Sequence, residues 1–283
     1  MKKIKLLALC AIVAGFTTSC EKKEVSSETQ EEAVKEPLSK AHIQGLLDAG
    51  VNPNGAEYIT LKRPDGSTAK AIKSHDIAIA LDNLAEQALE KMDNGTKQYR
   101  TRNLVSQGRT INVIGYTGRG RALTSKMRTG LQWAVNNYNA VSTSLTFRLT
   151  FSASTNGDIV VQNFGGSSAG GQAEFPSGGR PGKFIEIYGG IDNYSANVVE
   201  HLMTHEMGHA VGLRHTNYAR RNCRDSNNEG QGSIGAIHVP GTPTANQTGQ
   251  QGLDTDSVMI ACFSGNEDGE FSNYDRIALR YMY

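Results

Sequence analysis

Four of the seven histidines fall between positions 201 and 215, and their spacing constrains this chain more than any other feature. The run reads His205-Glu206-Met207-Gly208-His209-Ala210-Val211-Gly212-Leu213-Arg214-His215. Residues four apart on a helix differ by about 40° in azimuth and about 6 Å in rise, so the imidazoles of His205 and His209 project together. His215 comes six residues later and on a continued helix would lie about 240° away. It joins the same point only if the helix stops between 209 and 215 and the chain turns back. Gly212 suits that stop, because glycine enters the left-handed conformation that ends helices at little steric cost.

Three imidazoles that meet in this way can hold one Zn2+ ion and leave its fourth tetrahedral position to water, which separates a catalytic site from a structural one. Glu206 projects at a different azimuth and borders the open position. It is the natural general base, taking a proton from water and passing it to a leaving amine. A rival ligand set, His201 with His205 and His209, draws every ligand from one rod and leaves Gly212 and His215 without a purpose. His201 is expected to pack or hydrogen-bond near the helix start instead. His42, His75 and His238 stand apart and read as surface histidines.

The spacing HExxHxxGxxH resembles that of the metzincin zinc metallopeptidases and, within them, the bacterial HEIGH-type (dual-action) metallopeptidases. Downstream, Asp256-Ser257-Val258-Met259 is similar to the tight Met-turn of that clan, with Met259 as a packing floor. The resemblance covers roughly residues 109 to 283. It implies an α+β fold: a twisted, mostly parallel sheet with two helices, then a small loop-rich lower subdomain with a C-terminal helix capped at Ser272. It also implies that Phe184, Ile185, Glu186, Ile187 and Tyr188 form an edge strand that pairs with an extended polypeptide substrate. The implied activity is that of a zinc-dependent endopeptidase with one catalytic ion. The alternative is an inactive surface lipoprotein that keeps the scaffold for binding, which an intact Glu206 disfavours. Two positions depart from related subfamilies: Ala261 stands where some metzincins carry a tyrosine ligand, and Thr216 follows the third histidine in place of an acidic marker.

The remainder of the chain sets the context. Lys2, Lys3 and Lys5, the apolar Leu6 to Phe16, and Thr17-Thr18-Ser19-Cys20 read as an export signal over 1–19. The cysteine closing the small-residue run resembles a lipoprotein processing site, which implies cleavage before Cys20, lipidation there, and anchorage in the bacterial envelope. Residues 20–40 are polar and suit a tether. With Cys10 and Cys20 so assigned, Cys223 and Cys262 are expected to pair, a closure worth about 3–4 kcal/mol. A formal charge of +1 offers no field for nucleic acid, and the chain reads as a monomer. Calcium has no supporting pattern, since Asp254 to Asp268 lacks the alternating oxygens of a calcium loop; the stretch reads as a solvated face.

Residues 41–105 form a pro-segment or accessory region. Ile43, Leu46 and Leu47 have helical spacing, Tyr58 to Lys62 reads as a strand closed by the turn 64–66, and Ile77 to Met92 as an amphipathic helix. The basic run 97–102 would suit a cleaved linker. No cysteine lies between 21 and 222, so if residues 21–105 silence the enzyme, a carboxylate or simple obstruction must do it. Over 106–283, strands are expected at 109–116, 145–151, 158–164 and 184–188. Helices are expected from Leu123 to Tyr138 and from Asn197, where Asn197 and Glu200 would form a capping pair.

Overall fold

A helix whose buried face is Met127, Leu131, Ala134, Val135 and Tyr138 lies at the centre of a computed structural model. That structure describes residues 36–88, 99–221, 236–262 and 264–283. The apolar spacing at three and four residues commits this segment, α2 (Ser125–Ala140), to a core-facing helix. Thr124 starts it, its hydroxyl accepting the Met127 N–H at 3.1 Å. Against α2 packs α3 (Ala196–Ala210), capped by Ser195, whose Oγ accepts from Val198 N–H. The expected cap at Asn197 is therefore two residues late. Glu200 is not a capping partner; its carboxylate accepts from Asn137 on α2.

Eight strands form one sheet: β1 (Glu57–Lys62), β2 (Thr68–Ser74), β3 (Ile77–Ala80), β5 (Thr110–Tyr116), β6 (Thr146–Ser152), β7 (Ile159–Gly165), β8 (Gly171–Glu174) and β9 (Phe184–Tyr188). Their order is β1-β2-β3-β8-β9-β7-β5-β6. The pairs β5/β6, β5/β7, β7/β9 and β3/β8 are parallel, while β1/β2, β2/β3 and β8/β9 are antiparallel. A short β4 (Tyr99–Arg100) pairs with β10 (Ile237–His238). The helices α1 (Lys40–Asp48) and α4 (Asn273–Met282) complete the α+β fold. The predicted mostly parallel sheet with two packed helices and a closing C-terminal helix is present. Ser272 and Asp275 form the capping box of α4.

Three expectations are corrected. Ile77 to Met92 is not a helix over the residues described: Ile77–Ala80 is β3, followed by single 3-10 turns at Leu81–Asn83 and Ala85–Gln87. Ile77, Ala78 and Ile79 are all buried, and pairing on both sides of this strand outweighs the helical periodicity of its neighbours. Phe184 to Tyr188 is a strand, but not an edge. It lies between β7 and β8, and its near-continuous burial is that of an interior strand. Asp254, placed on a solvated face, is buried and accepts from the Ser272 hydroxyl at 2.6 Å.

Glu36–Tyr283 is one compact unit, with the N-terminal strands continuing the sheet of the later region. The signal, Cys10, Cys20 and most of the tether lie outside the described residues, as does Cys223; Cys262 is disulfide-bonded. No helix among the described residues is long and apolar enough to cross a membrane.

Candidate metal centre

Helix α3 carries His205 and His209 one turn apart on its buried face. The helix then ends as the glycine predicts. Gly212 has φ +99°, and the Leu213 N–H donates back to Gly208 O at 2.8 Å, satisfying a carbonyl of the last turn. A side chain at 212 would also meet Thr101 Oγ1 at 2.9 Å. The reversed chain is held by backbone bonds from Thr101 N–H to Gly212 O and from Arg214 N–H to Tyr99 O.

His215 returns to the helix face through that turn. Its Nε2 lies 3.0 Å from His205 Nε2 and 3.2 Å from His209 Nε2. These separations suit the edges of a tetrahedron built on metal–nitrogen bonds of about 2.0–2.1 Å, which are about 3.3 Å long. The other ring nitrogens set the tautomers: His205 Nδ1 donates to Val258 O at 2.7 Å and His209 Nδ1 to Leu213 O at 2.9 Å. The Nε2 lone pairs of His205 and His209 therefore face the shared point, where His215 Nε2 meets them. Burial, reinforced by the neighbouring imidazoles, holds His209 well below its usual range. Burial takes His215 down to about 3 despite the opposing pull of Asp76. Neutral lone pairs converging in a buried space repel one another unless a cation lies between them. The donor set fits zinc.

A fourth residue completes the cluster, and sequence reasoning missed it. Asp76 Oδ2 is 3.1 Å from His215 Nε2 and 3.8 Å from His205 Nε2, while Oδ1 is 3.9 Å from His209 Nε2. Donor atoms of Asp76, His205, His209 and His215 all lie within 4.8 Å of one another. Burial works against the Asp76 charge, but its interactions with His215, His205 and His209 outweigh it and hold the carboxyl well below the usual range. His75 beside it is no isolated surface histidine, since its Nδ1 accepts from Arg221 at 2.6 Å. His201 packs on the helix, its ring stacked 6.3 Å from that of His205 and outside the cluster.

Glu206 follows His205 and is buried, with Oε2 unpartnered. Burial first, and Asp76 second, push its carboxyl well above the usual range, with Lys73 pulling partly back. Gly171 on β8 makes room for it, because a Cβ there would meet Glu206 Oε1 at 2.7 Å. The carboxylate borders a cavity of about 420 Å³ whose walls include Gly170, Gly171, Tyr188, Tyr194 and His205.

Met259 forms the floor. A Cβ on Gly208 would meet its sulfur at 2.4 Å, so the thioether lies directly under the helix between two of the converging histidines. The turn is fixed from below by a residue that sequence reasoning also missed. Asp275 accepts from Ser257 Oγ at 2.6 Å and Val258 N–H at 2.9 Å. Val258 O then orients His205, so a buried carboxylate on α4 positions the first imidazole through the backbone of one residue. Thr216 and Ala261 join the same frame, Thr216 donating its hydroxyl to Ser257 Oγ and Ala261 its N–H to Asn217.

Two solved structures of myroilysin align with this chain at 16% identity. They cover 62% of it and 79% and 83% of their own lengths, with TM-scores of 0.39 and 0.38. No curated protein matches. The model of the dual-action HEIGH metallopeptidase family matches residues 72–283, from β2 to the C-terminal helix. With that span and this centre, the chain belongs to the dual-action HEIGH metallopeptidases.

Proposed function

We propose that the protein is a zinc-dependent endopeptidase that cleaves extended polypeptides, with Glu206 as general base. The observation that carries this reading is the convergence of the His205, His209 and His215 Nε2 atoms beside a buried, unpartnered Glu206 carboxylate. His205, His209 and His215 would hold the ion, which when bound supplies Lewis acidity toward a carbonyl and acidifies water. The chain's own residues do the remainder. Glu206 accepts the proton of the attacking water and delivers it to the departing amine. Val258 O and Leu213 O keep two imidazoles in the binding tautomer, and Met259 keeps α3 at a fixed height. Lipidation at Cys20 would hold the enzyme at the bacterial envelope, with the polar stretch to residue 40 as its tether.

The test measures metal content and casein hydrolysis in the full chain, before and after limited proteolysis. One zinc per chain is expected, with hydrolysis abolished by a chelator. Glu206→Gln should keep the zinc and lose roughly 100- to 10,000-fold in rate. If Glu206→Gln hydrolyses casein as wild type does, the base assignment fails. If neither form hydrolyses it, the inactive binding scaffold becomes the better reading.

A further inference from the structure

Asp76 is separated from the three histidines by more than a hundred residues, yet the fold delivers it to them through a short route. Strands β2 and β3 form a hairpin in which Ser74 pairs with Ile77, leaving His75 and Asp76 as its two-residue tip. His75 has φ 60°, a left-handed conformation that a two-residue hairpin favours at its first position and glycine fills most easily. A histidine held there is an outlier of the kind that clusters at functional sites. Its neighbour's carboxylate points into the metal centre.

The same hairpin covers the sheet. Strand β3 runs parallel to β8, with Ile77 opposite Ala173 and Ala78 opposite Glu174, and Ala173 N–H donates to Asp76 O at 3.0 Å. Without β3, β8 would be the edge of the sheet. It is also the strand whose Gly171 lies against Glu206. A free edge beside a catalytic carboxylate is where an extended peptide gains main-chain hydrogen bonds. The place expected for Phe184 to Tyr188 is thus one strand further out, and the chain's own N-terminal region fills it.

The way that region is attached matches a removable part. Leu46, Val51, Ile72, Ile77 and Ile79 bury one another in a separate core, to which Phe175 is the contribution from the later chain. Other attachments are polar, among them Arg214 donating to Gly50 O at 2.9 Å, Arg63 paired with Glu174 at 3.3 Å, Lys73 donating to the Tyr188 hydroxyl at 2.6 Å, Gln87 donating to Pro176 O at 2.9 Å and the Gly178 N–H donating to Glu86 at 2.7 Å.

We infer that residues 40–88 are a latency segment: Asp76 takes the fourth place on the metal, where water belongs in the working enzyme, and β3 takes the substrate's place along β8. This rests on the zinc endopeptidase reading. Release involves no covalent change at the centre, since water and an incoming carbonyl simply replace the Asp76 carboxylate.

The experiment uses the full chain, zinc-loaded and cobalt-substituted, as wild type, Asp76→Ala, the isosteric Asp76→Asn, and Asp65→Ala as a control in the β1–β2 turn. The measurements are metal stoichiometry, affinity for a fluorescent peptide hydroxamate, and the visible spectrum of the cobalt form. Both Asp76 variants should keep one metal per chain, bind the hydroxamate at least tenfold more tightly than wild type and Asp65→Ala, and shift the cobalt bands. Should Asp76→Ala misfold, Asp76→Asn carries the same comparison. Unchanged hydroxamate affinity with metal retained overturns the inference and leaves the peptidase reading standing. Metal lost from both folded Asp76 variants but held by wild type makes Asp76 a permanent ligand and also overturns it. Absence of metal from every form sinks the peptidase reading itself.

Discussion

The two parts of Glu36–Tyr283 are built to different standards of cohesion. The later part has a continuous core running from Val105 to Tyr283 that joins α2, α3, α4, the sheet and the Met-turn. The earlier part has small clusters of its own, around Leu46 and Ile72 and around Leu61 and Ala71. It meets the rest through one short parallel ladder, the Phe175 side chain and a set of charged or polar anchors. A shared core resists separation because every buried side chain loses its neighbours. A backbone ladder and salt bridges can be exchanged for another strand and for water. The contrast teaches which part is the machine and which part is docked on it.

The largest effect expected is on the machine. His209→Ala should remove the bound metal and all hydrolysis while leaving the Leu46 core folded, as metal analysis with hydrogen exchange would reveal. Loss of exchange protection throughout 40–84 would mean that the docked part depends on the metal for its own structure. Leu46→Ala, at a fully buried position, should cost about 2–5 kcal/mol but only within the docked part. Exchange should accelerate over 40–84 and stay slow in α2 and α3; uniform loss would erase the distinction between the regions.

Gly208→Ala should cost about 1–3 kcal/mol, because the new methyl group must displace the Met259 sulfur. A thermal melt unchanged from wild type would show that Met259 does not support α3 closely. The smallest effect is a pH dependence in the core of the later part. Burial, followed by Glu270 and Asp268, pushes Glu200 up to about 7 from its ordinary 4.5. The folded chain therefore holds this proton more tightly than the unfolded one, and the contribution to stability falls as pH rises from about 4.5 to about 7. Glu200→Gln keeps an acceptor for Asn137 and should gain about 1 kcal/mol at neutral pH. Melts between pH 4 and 8 should be flatter for the variant; parallel curves would show that Glu200 ionises freely.

Much of the later part was legible because its signals are local and periodic. The 205–215 spacing, the stop at Gly212, the apolar face of α2 and the cap at Ser272 each lie within one or two turns of chain. What escaped was long-range. Asp76 has no pattern around it that marks a metal-facing carboxylate, and only the β2–β3 hairpin and the β3–β8 ladder bring it to the histidines. Strand β8, Gly171-Gln172-Ala173-Glu174, lacks β-branched or aromatic residues, so nothing local marks it as a strand, and the resemblance points to its more strand-like neighbour β9 as the edge. Ile77 to Met92 misled because a four-residue buried strand and a helix segment share the same apolar density. Asp275 completes the capping box of α4 within one turn of chain, while its second task at the Met-turn depends on tertiary approach.

The two-residue tip at His75 and Asp76 has no slack. With Ser74 locked opposite Ile77, the reach of the carboxylate follows from the position of the ladder, and the side chain cannot wander in search of its target. Loop length therefore governs aim as strictly as residue identity does. A chain with one glycine added between His75 and Asp76 would retain every chemical group named above and still miss.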